Sequence, residues 1–283
     1  MSRALVLGGG GVAGIAWETG ILVGLADEGL DLRHADLVVG TSAGSTVAAQ
    51  LTSGETFDEL FARQLTSAEE SGELEAQLDI EGITALFIGA LKRSKTPLEL
   101  RAAIGEASLG VATVPEAERR AVIEHRLPRH VWPDGVDVRV VAVDAATGEV
   151  RTFSSADDVS IVDAVAASCA VPGVWPPVTI DGRRYIDGGV RSSTNADLAA
   201  GHDVILVLAP VDNAAGIADP DVVATIDRLG DAATVLVVTP DAGSAEAIGT
   251  NVLDLATRTP AVNAGRAQGR RLAAQVRSMW NQD

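Results

Sequence analysis

Residues 35–51 read ADLVVGTSAGSTVAAQL, and this stretch decides the fold class. Ala35 to Val39 is an apolar, Val-rich run of the kind buried on both faces in a parallel sheet. The run breaks at Gly40, and a helix of small residues follows. Upstream lies a second unit of the same design. Arg3 to Leu7 (RALVL) predicts a buried strand, Gly8 to Gly14 a glycine loop, and Ile15 to Gly29 a helix. In that helix Ile15, Ile21, Leu22 and Leu25 recur at helical spacing, and Gly29 supplies the stop. Two strand–glycine–helix units in succession predict an α/β fold: three layers, α/β/α, around a mostly parallel central sheet.

Downstream, Glu55 to Arg129 reads as helices with charged faces, punctuated by Pro97, Pro115 and Pro128. Such a helical insertion (about 55–130) serves either as a cap over a site or as a lateral layer on the sheet, and the pattern is compatible with both. Val136 to Val143 returns to strand, and ATGEVRTF turns into an antiparallel partner. Ile161 to Ala170 is helical. VTIDGRRYIDGG predicts a hairpin turning at Asp181-Gly182. Val204 to Leu208 and Thr234 to Val238 are further strands, and a basic amphipathic helix runs from about Pro260 to Trp280. That helix could lie on a membrane surface or pack on the sheet with its arginines in water. No repeat or low-complexity linker divides the 283 residues, so a single domain over 1–283 is expected.

Composition narrows the function classes. Hydrophobic residues make up 47% of the chain, enough for a large core, whereas aromatics are 3%, so Ala, Val, Leu and Ile must fill it. A net charge of −17 repels phosphate backbones, which argues against nucleic acid as a partner. It also disfavours electrostatic docking on anionic lipid. One cysteine, Cys169, permits no internal disulfide, as in a reducing cytosol. Glycines interrupt the first apolar run before it could serve as a secretory signal, and no run of about 20 apolar residues occurs. A cytoplasmic protein is expected; the oligomeric state cannot be read.

Three motifs carry chemistry. Gly40-Thr41-Ser42-Ala43-Gly44 is a G-x-S-x-G between a strand and a helix. The serine would sit on a strained turn at the carboxyl end of the sheet, flanked by glycines because a Cβ there would strike its neighbours. A tight turn without chemistry also uses Gly and Ser; the strand–helix context favours the elbow. Gly8 to Gly14 contains a G-x-G-x-x-G, which by itself hints at dinucleotide binding. That use requires an acidic residue at the end of the second strand, where this chain places Ser42 instead. Backbone N–H groups of Gly9, Gly10 and Gly11, with that of Ala43, would instead form an oxyanion-binding nest. Asp187-Gly188-Gly189 follows the hairpin strand and alone would be an ordinary turn.

A serine nucleophile needs a base, and histidine comes first. His34 and His202 precede strands, at the wrong end of the sheet, while His125 and His130 lie in the insertion. A Ser42–Asp187 dyad is the remaining arrangement, with Asp187 made a stronger base by burial.

In family order, Gly9 to Gly14, Gly40 to Gly44 and Asp187 to Gly189 resemble the three marks of the patatin-like phospholipases, bacterial type. ASCAVPGVWPPV, before DGRRYIDGG, is similar to the segment preceding the aspartate in those proteins. The resemblance covers Arg3 to about Asn195, with the insertion unmatched. It implies a serine esterase or lipid acyl hydrolase using Ser42 and Asp187 through an acyl-enzyme. Gly14, Gly40, Gly44, Gly188 and Gly189 would support the motifs, with no metal and no cofactor. A lipid or ester substrate and a transient membrane contact follow. One departure is plain: the family commonly has Arg or Lys where this chain has Ala13. Acyltransferase or thioesterase chemistry on the same dyad, or a non-catalytic binding or scaffold role, are the alternatives.

Overall fold

The computed structural model describes residues 1–67, 70–76, 79–211, 224 and 226–280; residues 68, 69, 77 and 78 of the insertion lie outside them. Among the described residues eight strands form one sheet: β1 Arg3–Leu7, β2 Leu37–Thr41, β3 Asp137–Asp144, β4 Val150–Phe153, β5 Val178–Ile180, β6 Arg183–Asp187, β7 Val204–Leu208 and β8 Thr234–Val238. Their order is β5-β6-β3-β2-β1-β7-β8, with β4 also paired to β3. The centre, β3-β2-β1-β7-β8, is parallel. The β5–β6 hairpin and β4 are antiparallel additions to β3. At the hairpin turn Asp181 and Gly182 both have positive φ, 50° and 75°, as a two-residue turn matched to strand twist requires.

The nine helices described are α1 Gly11–Asp27, α2 Ala43–Leu51, α3 Phe57–Leu65, α4 Ile80–Arg93, α5 Pro97–Leu109, α6 Glu116–Arg126, α7 Ile161–Ser168, α8 Ala242–Ile248 and α9 Arg258–Trp280. Alternation along the strands splits the core in two. Leu5, Leu7 and Val38 pack with residues of α1, α2, α7 and α9 on one face. Ala4, Val6, Leu37 and Val39 pack with Ala196, Ala199 and Leu229 on the other. The three layers expected from the sequence are present.

Helix α1 starts at Gly11, inside the stretch expected to be loop, so the loop proper is only Gly8 to Gly10. Every residue from Val12 to Leu25 is buried, which removes the polar face that an amphipathic helix would show. The reason is α9. A Cβ on Gly20 would stand 2.3 Å from the Val262 carbonyl, and one on Gly265 would stand 2.4 Å from that of Trp17. Glycines on both helices thus bring the backbones together and enclose α1. Arg266 and Arg270 of α9 bind Asp27, and Arg271 binds Asp241, so its basic face is tied down within the chain. No helix among the described residues is long and apolar enough to cross a membrane.

The insertion divides the two roles the sequence left open. Helices α4 and α5 form a lateral layer, where Ala90 and Ile104 pack with Val143, Ile186 and Val190. Helix α6 lies against α7, and Ile123 and Leu127 join the first core. Leu74, Ala76 and Arg119, by contrast, line a cleft that includes Ser42.

Candidate active site

Register places the elbow. Thr41, the last residue of β2, pairs with Val141 of β3, so the chain leaves the sheet one residue later at Ser42. Ser42 has φ 51° and ψ −115°, a left-handed backbone that a serine adopts only when its surroundings force it. The surroundings are specific. The Ser42 N–H donates to Ser168 Oγ at 2.9 Å, and that hydroxyl donates to the Val141 carbonyl at 2.6 Å. The Ser42 carbonyl accepts from Ser45 Oγ at 2.7 Å and from Cys169 Sγ at 3.2 Å. Glycine on either side is a packing demand. A Cβ on Gly44 would lie 2.0 Å from the Leu7 carbonyl oxygen, and one on Gly40 would lie 2.6 Å from Ser45 Cα.

The same strand delivers Asp187. Strand β6 pairs with only the last residues of β3, with Asp187 opposite Ala142. An antiparallel strand therefore brings its final residue to the carboxyl end of the parallel sheet, level with Ser42. Gly188 turns against β3, where a Cβ would stand 2.3 Å from the Val141 carbonyl. Asp187 Oδ1 accepts from the Gly189 N–H at 2.7 Å. Oδ2 is enclosed and completes no hydrogen bond among the described residues. Burial pushes the carboxyl up to about 6, against the opposing pull of the Ser42 hydroxyl and the Gly189 N–H. The serine is thus close enough for its hydroxyl to act on the carboxyl.

The glycine loop faces this pair: the position of a Cβ on Gly9 would be 3.6 Å from Ser42 Cβ. One expectation fails here. The Gly9 N–H donates to the Ser193 carbonyl at 2.7 Å, so it is spent and cannot hold an oxyanion. The N–H groups of Gly11 and Ala43 open α1 and α2, positions with no intrahelical acceptor, and Gly10 precedes Gly11. Those three N–H groups have no backbone acceptor among the described residues. The two helix N-termini converge, since a Cβ on Gly14 would touch Ala43 Cβ at 3.3 Å, and their dipoles add at the serine.

Four side chains that build the site carried no sequence signal strong enough to find them. Ser168 braces the elbow as described. Asn195, fully buried at φ 50°, donates to Thr41 Oγ1 at 3.1 Å, to the Gly188 carbonyl at 3.2 Å and to that of Ser192 at 2.9 Å. It thereby clamps the elbow to the Asp187 turn. Glu18, buried inside α1, accepts the Gly8 N–H at 2.8 Å, and burial holds its carboxyl well above the usual range. Arg119 lies in the cleft wall. Glu18 is a charged type inside an apolar helical pattern, which was the one available hint; Arg119 stands among other charges in EAERRAVIEHR and gave none. None of the four histidines lines the cleft that holds Ser42; His125 lines a neighbouring groove and His202 sits at the amino end of β7. No group of metal-ligating side chains occurs among the described residues.

The family model described as "Patatin-like phospholipase" matches residues 5–200. Among solved structures, VipD from Legionella pneumophila is 15% identical with a TM-score of 0.45, covering 97% of this chain and 66% of its own. The type III effector ExoU is 15% identical with a TM-score of 0.36, covering 95% and 53%. ExoU of Pseudomonas aeruginosa in complex with SpcU gives 15% and 0.38, covering 95% and 52%. The chain thus spans between about half and two thirds of the length of these proteins.

Proposed function

The chain belongs to the patatin-like phospholipase family of lipid hydrolases, and from that premise we propose that it cleaves carboxylic esters of lipids through a Ser42–Asp187 dyad. Asp187 Oδ2 takes the Ser42 proton as Oγ attacks the ester carbonyl carbon. The N–H groups of Gly10, Gly11 and Ala43 hold the negative oxygen of the tetrahedral intermediate. Collapse expels the alcohol, which takes the proton from Asp187 and leaves an acyl group on Ser42. Water, deprotonated by the same carboxylate, then attacks the acyl carbonyl. The fatty acid leaves as Ser42 recovers its proton.

One observation carries this reading: an enclosed carboxylate oxygen without a hydrogen-bond partner among the described residues, set beside a serine held at φ 51°. A carboxylate left ionised in water is a weak base for an alcohol. Raised to about 6, Asp187 is a better one and is still ionised at pH 7. Ile80, Ile88 and Leu91 of α4 are exposed apolar side chains on the insertion, which suits a transient contact with the lipid surface that presents the substrate. The test is turnover of a short neutral ester by Ser42→Ala. The expected loss is about 10³-fold or more with the fold intact, and retention of a tenth of the activity would remove Ser42 from the mechanism.

A further inference from the structure

Arg119 is 5% exposed on α6, and its Nε and Nη1 are enclosed with no hydrogen-bond partner among the described residues. Its guanidinium stacks on Trp175, 3.8 Å from the ring centroid, which fixes its plane while leaving its N–H edges unused. A buried cation with unmade hydrogen bonds costs free energy that a structural residue would avoid. Its neighbours make the site more positive. Arg126 is bound bidentately to Glu73, at 2.5 and 2.6 Å. Arg119, Arg126 and Arg258 all act on that one carboxylate, so three guanidiniums face a single counter-charge within a chain of net charge −17. Burial, then repulsion from Arg126, lowers the Arg119 pKa to about 9; a guanidinium in that position binds an anion rather than giving up its proton. The cleft that Arg119 lines is shared with Ser42, Gly11 and Ala43. With Ala at position 13, the glycine loop brings no cation of its own.

We propose that Arg119, stacked on Trp175 in the Ser42 cleft, binds the phosphate of a phospholipid-type ester whose carbonyl lies at Ser42. This rests on the hydrolase reading above and adds the residue that recognises the substrate's phosphate. A phosphate ester supplies the oxygens that the guanidinium lacks, and in a glycerophospholipid it stands a few bonds from an ester carbonyl. Glu73 holds Arg126 back, so Arg119 is the cation left for the ligand.

The experiment compares dodecyl phosphate, dodecanoate, dodecanol and inorganic phosphate as inhibitors of neutral-ester turnover, and as ligands by calorimetry, in wild type and Arg119→Gln. Dodecyl phosphate should compete with the ester and bind at least about tenfold more tightly than dodecanoate or dodecanol. Its affinity should fall about 30-fold in Arg119→Gln, about 2 kcal/mol at 1.4 kcal/mol per decade, and recover in part in Arg119→Lys. The ratio of kcat/KM for a short-chain phosphatidylglycerol to that for the neutral ester should fall by a similar factor. Equal binding by wild type and Arg119→Gln would overturn the assignment. So would dodecanoate binding as tightly as dodecyl phosphate, which would make the site one for the product carboxylate. If Arg119→Gln does not fold, the wild-type ranking decides, and dodecanol matching dodecyl phosphate overturns the proposal. Calorimetry reads the anion site even if no ester is turned over, so failure of the hydrolase reading is seen separately.

Discussion

The region from β1 to α2 and the insertion from α3 to α6 obey different rules. In the first, the packing is backbone on backbone: Gly40 and Gly44 admit no Cβ, and α1 is buried on every side from Val12 to Leu25. In the second, side chains start three of the four helices. Thr56 and Glu59 form a reciprocal cap on α3, Asp79 caps α4, and Thr96 with Pro97 opens α5. Large apolar residues such as Ile80 and Leu91 stay exposed there. Under the proposed mechanism the difference separates two tasks: the reacting groups are held by a frame that tolerates no change in volume, whereas the residue proposed to select the substrate, Arg119, comes from helices that do.

That contrast can be broken most directly at Gly44. Gly44→Ala forces a methyl against the Leu7 carbonyl and should cost about 4 kcal/mol or more, or abolish folding altogether. Soluble expression and chemical denaturation check it, and a variant as stable as wild type would show that the elbow is not closely packed. Gly9→Ala sharpens the point within the same loop. Its Cβ would meet only ordinary contacts at 3.6 Å and its N–H keeps Ser193, so the fold should survive with a loss under about 1 kcal/mol.

Asp187→Asn tests both function and stability. Turnover should fall by roughly 10²–10⁴ at neutral pH. Stability should move the other way. The folded pKa of about 6 lies above the carboxyl's ordinary 3.8, so folding favours the protonated form. The wild type therefore loses stability as pH rises from about 4 through 6, and asparagine, which does not titrate, loses none. At pH 8 the variant should be the more stable by about 1–3 kcal/mol, the advantage vanishing near pH 4. Denaturation at the two pH values measures it, and a variant less stable at pH 8 would mean that burial does not set this pKa.

Smaller effects are expected where a substitution keeps shape and hydrogen bonding, and on the insertion surface. Glu18→Gln keeps the side chain's size and its acceptor for the Gly8 N–H, so it should leave the melting temperature within a few degrees, while Glu18→Ala opens a cavity under Gly8 and costs about 2 kcal/mol or more. Ile88→Ser on exposed α4 should change stability by under about 0.5 kcal/mol, and any loss should appear with vesicle-borne substrate and not with a soluble ester.

The parallel strands and the elbow were legible because they depend on local pattern: VVGTSAG states a strand, a strained turn and a helix within a few residues. The start of α1 was not, because a glycine run reads as loop until Pro210, Val252 and Leu253 are seen packed against it. The spent N–H of Gly9 was invisible for a similar reason, since its acceptor, Ser193, lies far along the chain. Asn195, Ser168 and Arg119 act through contacts between elements distant in sequence, and their residue types alone say nothing of that. The dual role of the insertion likewise depends on which helix faces the sheet.

The dyad itself is tested most directly by the pH dependence of fluorophosphonate labelling, with the adduct mapped. One adduct is expected, on Ser42, formed at a rate that rises with pH through a midpoint near 6 and levels off above it. In Asp187→Asn that step should be gone and the rate much lower. An adduct on another residue, or the same step near pH 6 in Asp187→Asn, would contradict it.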